Sequence, residues 1–355
     1  MIDPRWYQVA DVLVNYSTKV KAGEKVLITM MEVDTLPLAL AVYTEAVKAG
    51  AQVHIEFQSV LVDRALLSHG TLEQAELVPE MHAKGMRWAD VYIGLRGSSN
   101  PYELEGIPPD KITARKKAMG LISSMRIDQT RWVLSRIPNH SLAQQAKMST
   151  EEMMTFYFNA TVKDWEQESR DYYELKEVFQ AGENVRVVGK ETEIRFSTKG
   201  RLYRVGAGLR NMPDGEIFTA PVDDSLEGKI FFEFPGVYAG KFIKDICLEF
   251  KKGEIVTATA SENEDLLKSI IALEGANRVG EFGVGTNFGI DRFIGDILFD
   301  EKIGGTIHLA LGWAYSDCNG INKSPIHWDI VKDLREEGEI YLDEKLVFKS
   351  GKFLV

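Results

Sequence analysis

Four apolar runs alternate with stretches of helical spacing in the first half of the chain, and this alternation restricts the fold more than any other feature. The runs are Lys25-Val26-Leu27-Ile28-Thr29-Met30, Val53-His54-Ile55-Glu56-Phe57, Asp90-Val91-Tyr92-Ile93-Gly94-Leu95 and Arg131-Trp132-Val133-Leu134-Ser135. Between them the spacing predicts helices from about Leu36 to Lys48, stopped by Gly50, from about Thr71 to Lys84, and from about Ile112 to Met125. A further helix is expected from Trp6 to Val20, where Val9, Val12, Leu13, Tyr16 and Val20 recur at helical spacing before Gly23. Strands separated by helices of this length imply βαβ crossovers and a mostly parallel, doubly wound sheet.

The pattern changes after Gly182. Ser149-Thr150-Glu151-Glu152 supplies a cap and first-turn acids for one long charged helix expected to reach about Gln180, and Gly182 ends it. Beyond it come short strand patterns at Val185 to Val188, Thr192 to Ser197, Lys229 to Phe234, Ile246 to Phe250 and Ile255 to Ala260, with one helix from Glu262 to Glu274. The reading is therefore an α/β chain of two domains. Residues 1–182 form a doubly wound domain serving as scaffold, gate or oligomer surface, and residues 183–355 form a β-rich α+β domain that holds metal.

Charge narrows the partners. The chain carries 53 acidic against 42 basic side chains, a net −11, which repels a phosphate backbone and argues against nucleic acid. An open parallel sheet would ordinarily suggest a nucleotide, yet the loop after the first strand reads Met31-Glu32-Val33-Asp34-Thr35. It has neither a Gly-x-Gly-x-x-Gly turn nor a P-loop lysine, and its acids oppose a nucleotide's phosphates. Met1-Ile2-Asp3-Pro4-Arg5-Trp6 lacks the basic and apolar regions of a leader, and no apolar run approaches the roughly 20 residues that span a bilayer. Only Cys247 and Cys318 are present, in no CxxC pattern, which fits a reduced, cytoplasmic setting while leaving a single disulfide open.

The chemistry is concentrated in the last third. His308 lies in Gly304-Gly305-Thr306-Ile307-His308 and His327 in Ser324-Pro325-Ile326-His327-Trp328-Asp329. Glu216 and Glu281 sit upstream in the Gly-flanked contexts Asp214-Gly215-Glu216 and Gly280-Glu281-Phe282-Gly283. Two imidazoles and three carboxylates match the ligands of a hydrolytic divalent-metal centre, in which a cation lowers the pKa of bound water to about 7. His327 and Asp329 are two apart, and on an extended segment both would point to one face. The earlier His54, His69, His82 and His140 read as structural residues.

At these motifs the chain resembles the thermophilic metallo-aminopeptidase family, the AmpS, PepS and AmpT type. The resemblance spans nearly the whole chain and rests on Ala146 to Glu152, Asn211-Met212-Pro213-Asp214-Gly215-Glu216-Ile217-Phe218-Thr219-Ala220-Pro221, Gly280 to Asn287, Gly305 to His308, and Ile326 to Asp329. It implies that Glu216, Glu281, His308, His327 and Asp329 hold two divalent ions (zinc, cobalt or manganese), with Glu281 as bridge and catalytic residue. Tyr315 occupies the position of the family's active-site tyrosine. It implies, too, an enzyme that hydrolyses unblocked N-terminal residues from short peptides, a homodimer, and no membrane partner. Asp223, Asp224 and Glu301 are candidates to receive the substrate ammonium.

The chain departs from the pattern in having only 18 residues between His308 and His327, and Ser316-Asp317 after the tyrosine. The same scaffold also resembles that of ring-opening iron dioxygenases, which need a facial triad of two histidines and one carboxylate. His308, His327 and Asp329 would supply that triad if Glu216 and Glu281 stood elsewhere. A third reading is a non-catalytic protein that retains the fold.

Overall fold

The computed structural model describes residues 3–355, which divide into two compact units. The first comprises residues 3–165 together with 208–213; the second comprises 166–207 and 214–355. The division thus falls at the start of a helix, Trp165–Ala181, whereas the sequence places it after Gly182.

In the first unit four strands, β1 (Lys25–Met31), β2 (Gln52–Gln58), β3 (Val91–Arg96) and β4 (Arg131–Arg136), pair in parallel in the order β2-β1-β3-β4. Asn211–Met212 returns to extend β4, also in parallel. The inner residues of β1 and β3 are almost wholly buried, as expected of strands covered on both faces. Leu27, Tyr92 and Leu134 face the helices Glu80–Trp88 and Pro109–Gln129, against Ala83, Met86 and Ile122.

The helices differ from expectation where a local bond competes with periodicity. The stretch from Thr71 is broken into Leu72–Glu76 and Glu80–Trp88, because Pro79 cannot continue a helix from within it. Val60–His69 is a helix that spacing did not suggest: Leu61 and Val62 point outward, so no apolar stripe marks it, and Ser59 caps it through Leu61 N. The long helix from Ser149 is two, Thr150–Thr161 and Trp165–Ala181; the Trp165 indole donates to the Thr161 carbonyl at 2.7 Å and helps end the first. Its start follows the sequence, with Ser149 and Glu152 forming a reciprocal cap. The first helix runs Arg5–Asp11 and then widens to a π-helix over Val12–Ser17.

The second unit is built of antiparallel sheets. An eight-stranded sheet contains Thr192–Ser197, Glu227–Phe232 and Ile246–Lys251, and a five-stranded sheet contains Val279–Gly285 and Thr306–Gly312. Their facing side chains, among them Ile194, Phe196, Ile230, Leu248, Phe282, Leu309 and Ile330, share one core. Glu264–Ile271 is the helix expected near Glu262.

Candidate metal centre

The five-stranded sheet of the second unit runs His327–Asp333, Thr306–Gly312, Val279–Gly285, Glu216–Thr219, Arg204–Gly206, all antiparallel neighbours. One face gives Phe282, Val284, Ile307, Leu309, Leu311, Trp328 and Ile330 to the core. Alternation along each strand sends Glu281, His308, His327 and Asp329 to the other face. The register then brings them together. Glu281 lies opposite Ala310, which lies opposite Asp329; Gly283 lies opposite His308, Gly285 opposite Glu216, and Gly312 opposite His327. Each ligand candidate thus has a glycine or alanine beside it, leaving room above the sheet for carboxylates and rings to converge.

The convergence is close. His308 Nε2 lies 3.4 Å from Glu281 Oε1 and 3.5 Å from Glu216 Oε2. His327 Nε2 lies 3.0 Å from Glu281 Oε2 and 3.6 Å from Asp329 Oδ1. Two triads, Glu216-Glu281-His308 and Glu281-His327-Asp329, each bring one ligand atom per residue within 4.8 Å of the others, and they share Glu281. All five residues named from sequence therefore meet in one cluster.

Its electrostatics are those of a dense ion cluster. Burial disfavours the charged form of His308, but the bond to Glu281 and the charges of Glu216 and Asp329 outweigh it and raise the imidazole to about 10. His327 is raised to about 9 by the same balance, with Glu281 as its bonded partner. For Glu281 burial is outweighed by the two imidazoles, which hold it down to about 2. Burial wins at Asp329, pushed up to about 6, and at Glu216, raised well above its ordinary value despite Lys302.

Both rings are held in the orientation that suits a metal. His308 Nδ1 donates to the Glu301 carbonyl at 3.0 Å and His327 Nδ1 to the Trp313 carbonyl at 2.7 Å. With each Nδ1 so engaged, Nε2 faces the carboxylates, the arrangement by which outer partners fix a ligating histidine. The donor set fits divalent cations: two imidazoles, which a metal would bind in their neutral form, and three carboxylates, with one carboxylate presenting an oxygen to each side.

Lys302 was not anticipated. Its side chain is fully buried, pairs with Glu301, and sets Nζ 3.8 Å from Glu216 Oε1. Nothing in its sequence context distinguishes it from a surface lysine next to an acid. Among the acids suggested for the substrate ammonium, Asp223 is engaged by Arg201 at 2.6 Å and Asp224 is exposed, while Glu301 flanks the cluster. Tyr315 stands at its edge, its ring centroid 5.0 Å from that of His327 and 4.9 Å from that of Trp313. Burial and the charges of Glu281 and Asp329 raise its phenol, which stays protonated at neutral pH. On another side of His327 and Asp329 opens a cavity of about 220 Å³, walled by Val237, Tyr238, Phe293, Ile297 and Trp328.

The chain is similar to known proteins in sequence and in fold. The chain is 26% identical over 408 residues to aminopeptidase AmpS of Bacillus subtilis (strain 168), covering 97% of each. It is 25% identical over 378 residues to aminopeptidase PepS of Streptococcus thermophilus, covering 91% of this chain and 90% of that one. Its fold matches wild-type AmpT from Thermus thermophilus with a TM-score of 0.86 at 22% identity, over 99% of each chain. A 2,5-dihydroxypyridine dioxygenase from Pseudomonas putida KT2440 matches at 0.61 and 14% identity, over 99% of this chain and 97% of that one, a likeness of fold alone. The family model described as thermophilic metalloprotease (M29) matches residues 3–353. The chain belongs to the thermophilic metalloprotease (M29) family.

Proposed function

We propose that this chain is a metal-dependent aminopeptidase that removes unblocked N-terminal residues from short peptides. Hydrolysis is the family's chemistry, and the relatives bear the name aminopeptidase. The observation that carries the reading is the position of Glu281, with Oε1 toward His308 and Oε2 toward His327.

Glu216, Glu281 and His308 would hold one divalent ion (zinc, cobalt or manganese) and Glu281, His327 and Asp329 a second, the pair supplying activation of water and polarisation of the scissile carbonyl. Glu281, with one oxygen toward each histidine, would serve both ions and is the catalytic carboxylate on which the pair depends. Tyr315 donates its phenolic hydrogen to the carbonyl oxygen as negative charge gathers there, the role of an oxyanion donor. The apolar cavity beside His327 receives the side chain of the residue to be released; Glu301, the candidate for the free ammonium that flanks the cluster, is already paired with Lys302.

The dioxygenase reading requires His308, His327 and Asp329 to act without the glutamates. Glu216 and Glu281 instead lie within 3.5 Å of His308 Nε2, which favours hydrolysis.

A homodimer in a reducing cytoplasm completes the proposal. Both cysteines are free, and no helix among the described residues is long and apolar enough to cross a membrane. Light scattering on the purified protein tests the dimer.

The activity is tested with leucine p-nitroanilide and its N-acetyl derivative, on chelator-treated protein with and without added Zn²⁺, Co²⁺ or Mn²⁺. Metal-dependent cleavage of the unblocked compound alone is expected. Failure of metal-loaded protein to cleave any unblocked substrate, or full activity in Glu281→Ala, overturns the reading.

A further inference from the structure

We infer that the amino-terminal unit carries a second site, for a small oxyanion of the phosphate or carboxylate type, at the carboxyl ends of β1 and β3. The strand order β2-β1-β3-β4 reverses direction between β1 and β3, so the connections leaving these two strands diverge. In open parallel sheets a ligand crevice opens at that switch point. A cavity of about 130 Å³ lies there, floored by Thr29 of β1 and Gly94 of β3 and reaching the ends of the strands at Met31 and Arg96. Gly94 keeps it open. A Cβ at that position would come within 2.6 Å of Leu134 Cδ2 and 2.8 Å of Tyr92 Cε1.

The wall opposite the sheet is cationic. Arg126, from the Pro109–Gln129 helix, lines the cavity with its guanidinium 4.4 Å from the Trp132 ring and 5.9 Å from the Tyr92 ring. Its Nε is buried with no hydrogen-bond acceptor among the described residues. Arg210 covers the same Trp132 ring at 5.0 Å, and Arg96 lines the mouth. Burial and the charges of Arg96 and Arg210 hold the Arg126 guanidinium below the usual arginine range, partly offset by the Tyr92 phenol. Buried donors are normally satisfied, and an arginine fork suits the oxygens of a carboxylate or phosphate. On the floor, Thr29 is 3% exposed and its hydroxyl lies beside the Tyr92 phenol. Ser123 adds a further hydroxyl at the rim.

Two acids stand nearby, and Glu32 is engaged by hydrogen bonds. Glu56 faces His82 at 3.8 Å. Glu32, whose loop argued against a nucleotide, accepts from Val60 N at 2.7 Å and from Ser59 Oγ at 2.8 Å. The volume suits one oxyanion with its water and is too small for a nucleotide, so the site does not contradict the missing glycine-rich loop.

The test uses full-length, metal-loaded protein titrated with inorganic phosphate and, separately, with acetate, at constant ionic strength and followed by calorimetry. At least one probe is expected to bind saturably, with affinity at least tenfold weaker in both Arg126→Gln and Ser123→Asp. The second variant sets a carboxylate at the rim, where Ser123 is exposed to solvent and no charge need be buried. Lys117→Gln, the same charge change on the same helix away from the cavity, is expected to bind as the unaltered protein does. The probe that binds assigns the oxyanion to phosphate or to carboxylate. Absence of saturable binding by either probe overturns the inference, as does binding that Ser123→Asp and Arg126→Gln leave unchanged, which would place the anion at the metal centre.

Discussion

Gly283 and His308 face each other on adjacent strands so closely that a Cβ on the glycine would lie 2.1 Å from both Cε1 and Nε2 of the ring. The imidazole can rest over the sheet only because that side chain is missing. Gly283→Ala is therefore expected to displace His308 and weaken metal binding by about 10–100-fold, the range for lost positioning of a ligand. Metal content after dialysis checks this, and unaltered content in the folded variant refutes it.

The raised imidazoles make the metal-free protein sensitive to alkali. His308 at about 10 and His327 at about 9 hold protons more tightly folded than unfolded. The stability they contribute is fully present below the ordinary histidine pKa, about 6.5, and is lost as pH rises through those folded values. Chelator-treated protein should lose Tm steadily from pH 7 to pH 10, and addition of Zn²⁺ near pH 7 should release protons. A Tm that is flat over this interval would count against the imidazolium–carboxylate cluster.

Lys302 is a buried cation between Glu301 and Glu216. Lys302→Met would leave those carboxylates uncompensated, and breaking such a buried pair costs about 3–5 kcal/mol. Thermal unfolding should show that loss in metal-free protein and a smaller one at saturating Zn²⁺, since a bound cation replaces part of the missing charge. Equal losses with and without metal would show that Lys302 does not compensate the cluster.

Tyr315→Phe separates a chemical from a packing role. As an oxyanion donor the phenol is worth about 10²–10³ in kcat. Metal content and Tm should be unchanged, because the ring contacts to Trp313 and His327 are retained. Unchanged kcat would reduce Tyr315 to an aromatic spacer.

The parts of this molecule legible in its sequence are those governed by period. β1 to β4 follow from apolar runs within a residue or two of their ends, and His327 with Asp329 follows from the two-residue repeat of a strand. The breaks at Pro79 and at Val162 were harder to see. Helical spacing continues through both, while a missing N–H ends one helix and an indole bond helps close the other. Val60–His69 escaped because Leu61 and Val62 face outward and only Leu67 is fully buried, so its apolar residues form no single stripe. In the cluster the five charged or imidazole side chains stood out by type and local context. Lys302, Gly283 and Ala310 did not, since their part depends on which strand lies next to which, and register across Thr306–Gly312 is a long-range outcome.

Glu281 adjoins Phe282 and His308 adjoins Leu309, so in each of these strands the ligand faces the cluster and its neighbour faces the hydrocarbon core. A slip of a single residue in pairing would drive the polar set into the hydrocarbon interior and turn the greasy set outward. A misregistered isomer that keeps its interior but forfeits cation affinity is thus ruled out by the same energy that selects the native pairing. During refolding, cation capture and burial of the interior should appear together as one kinetic event.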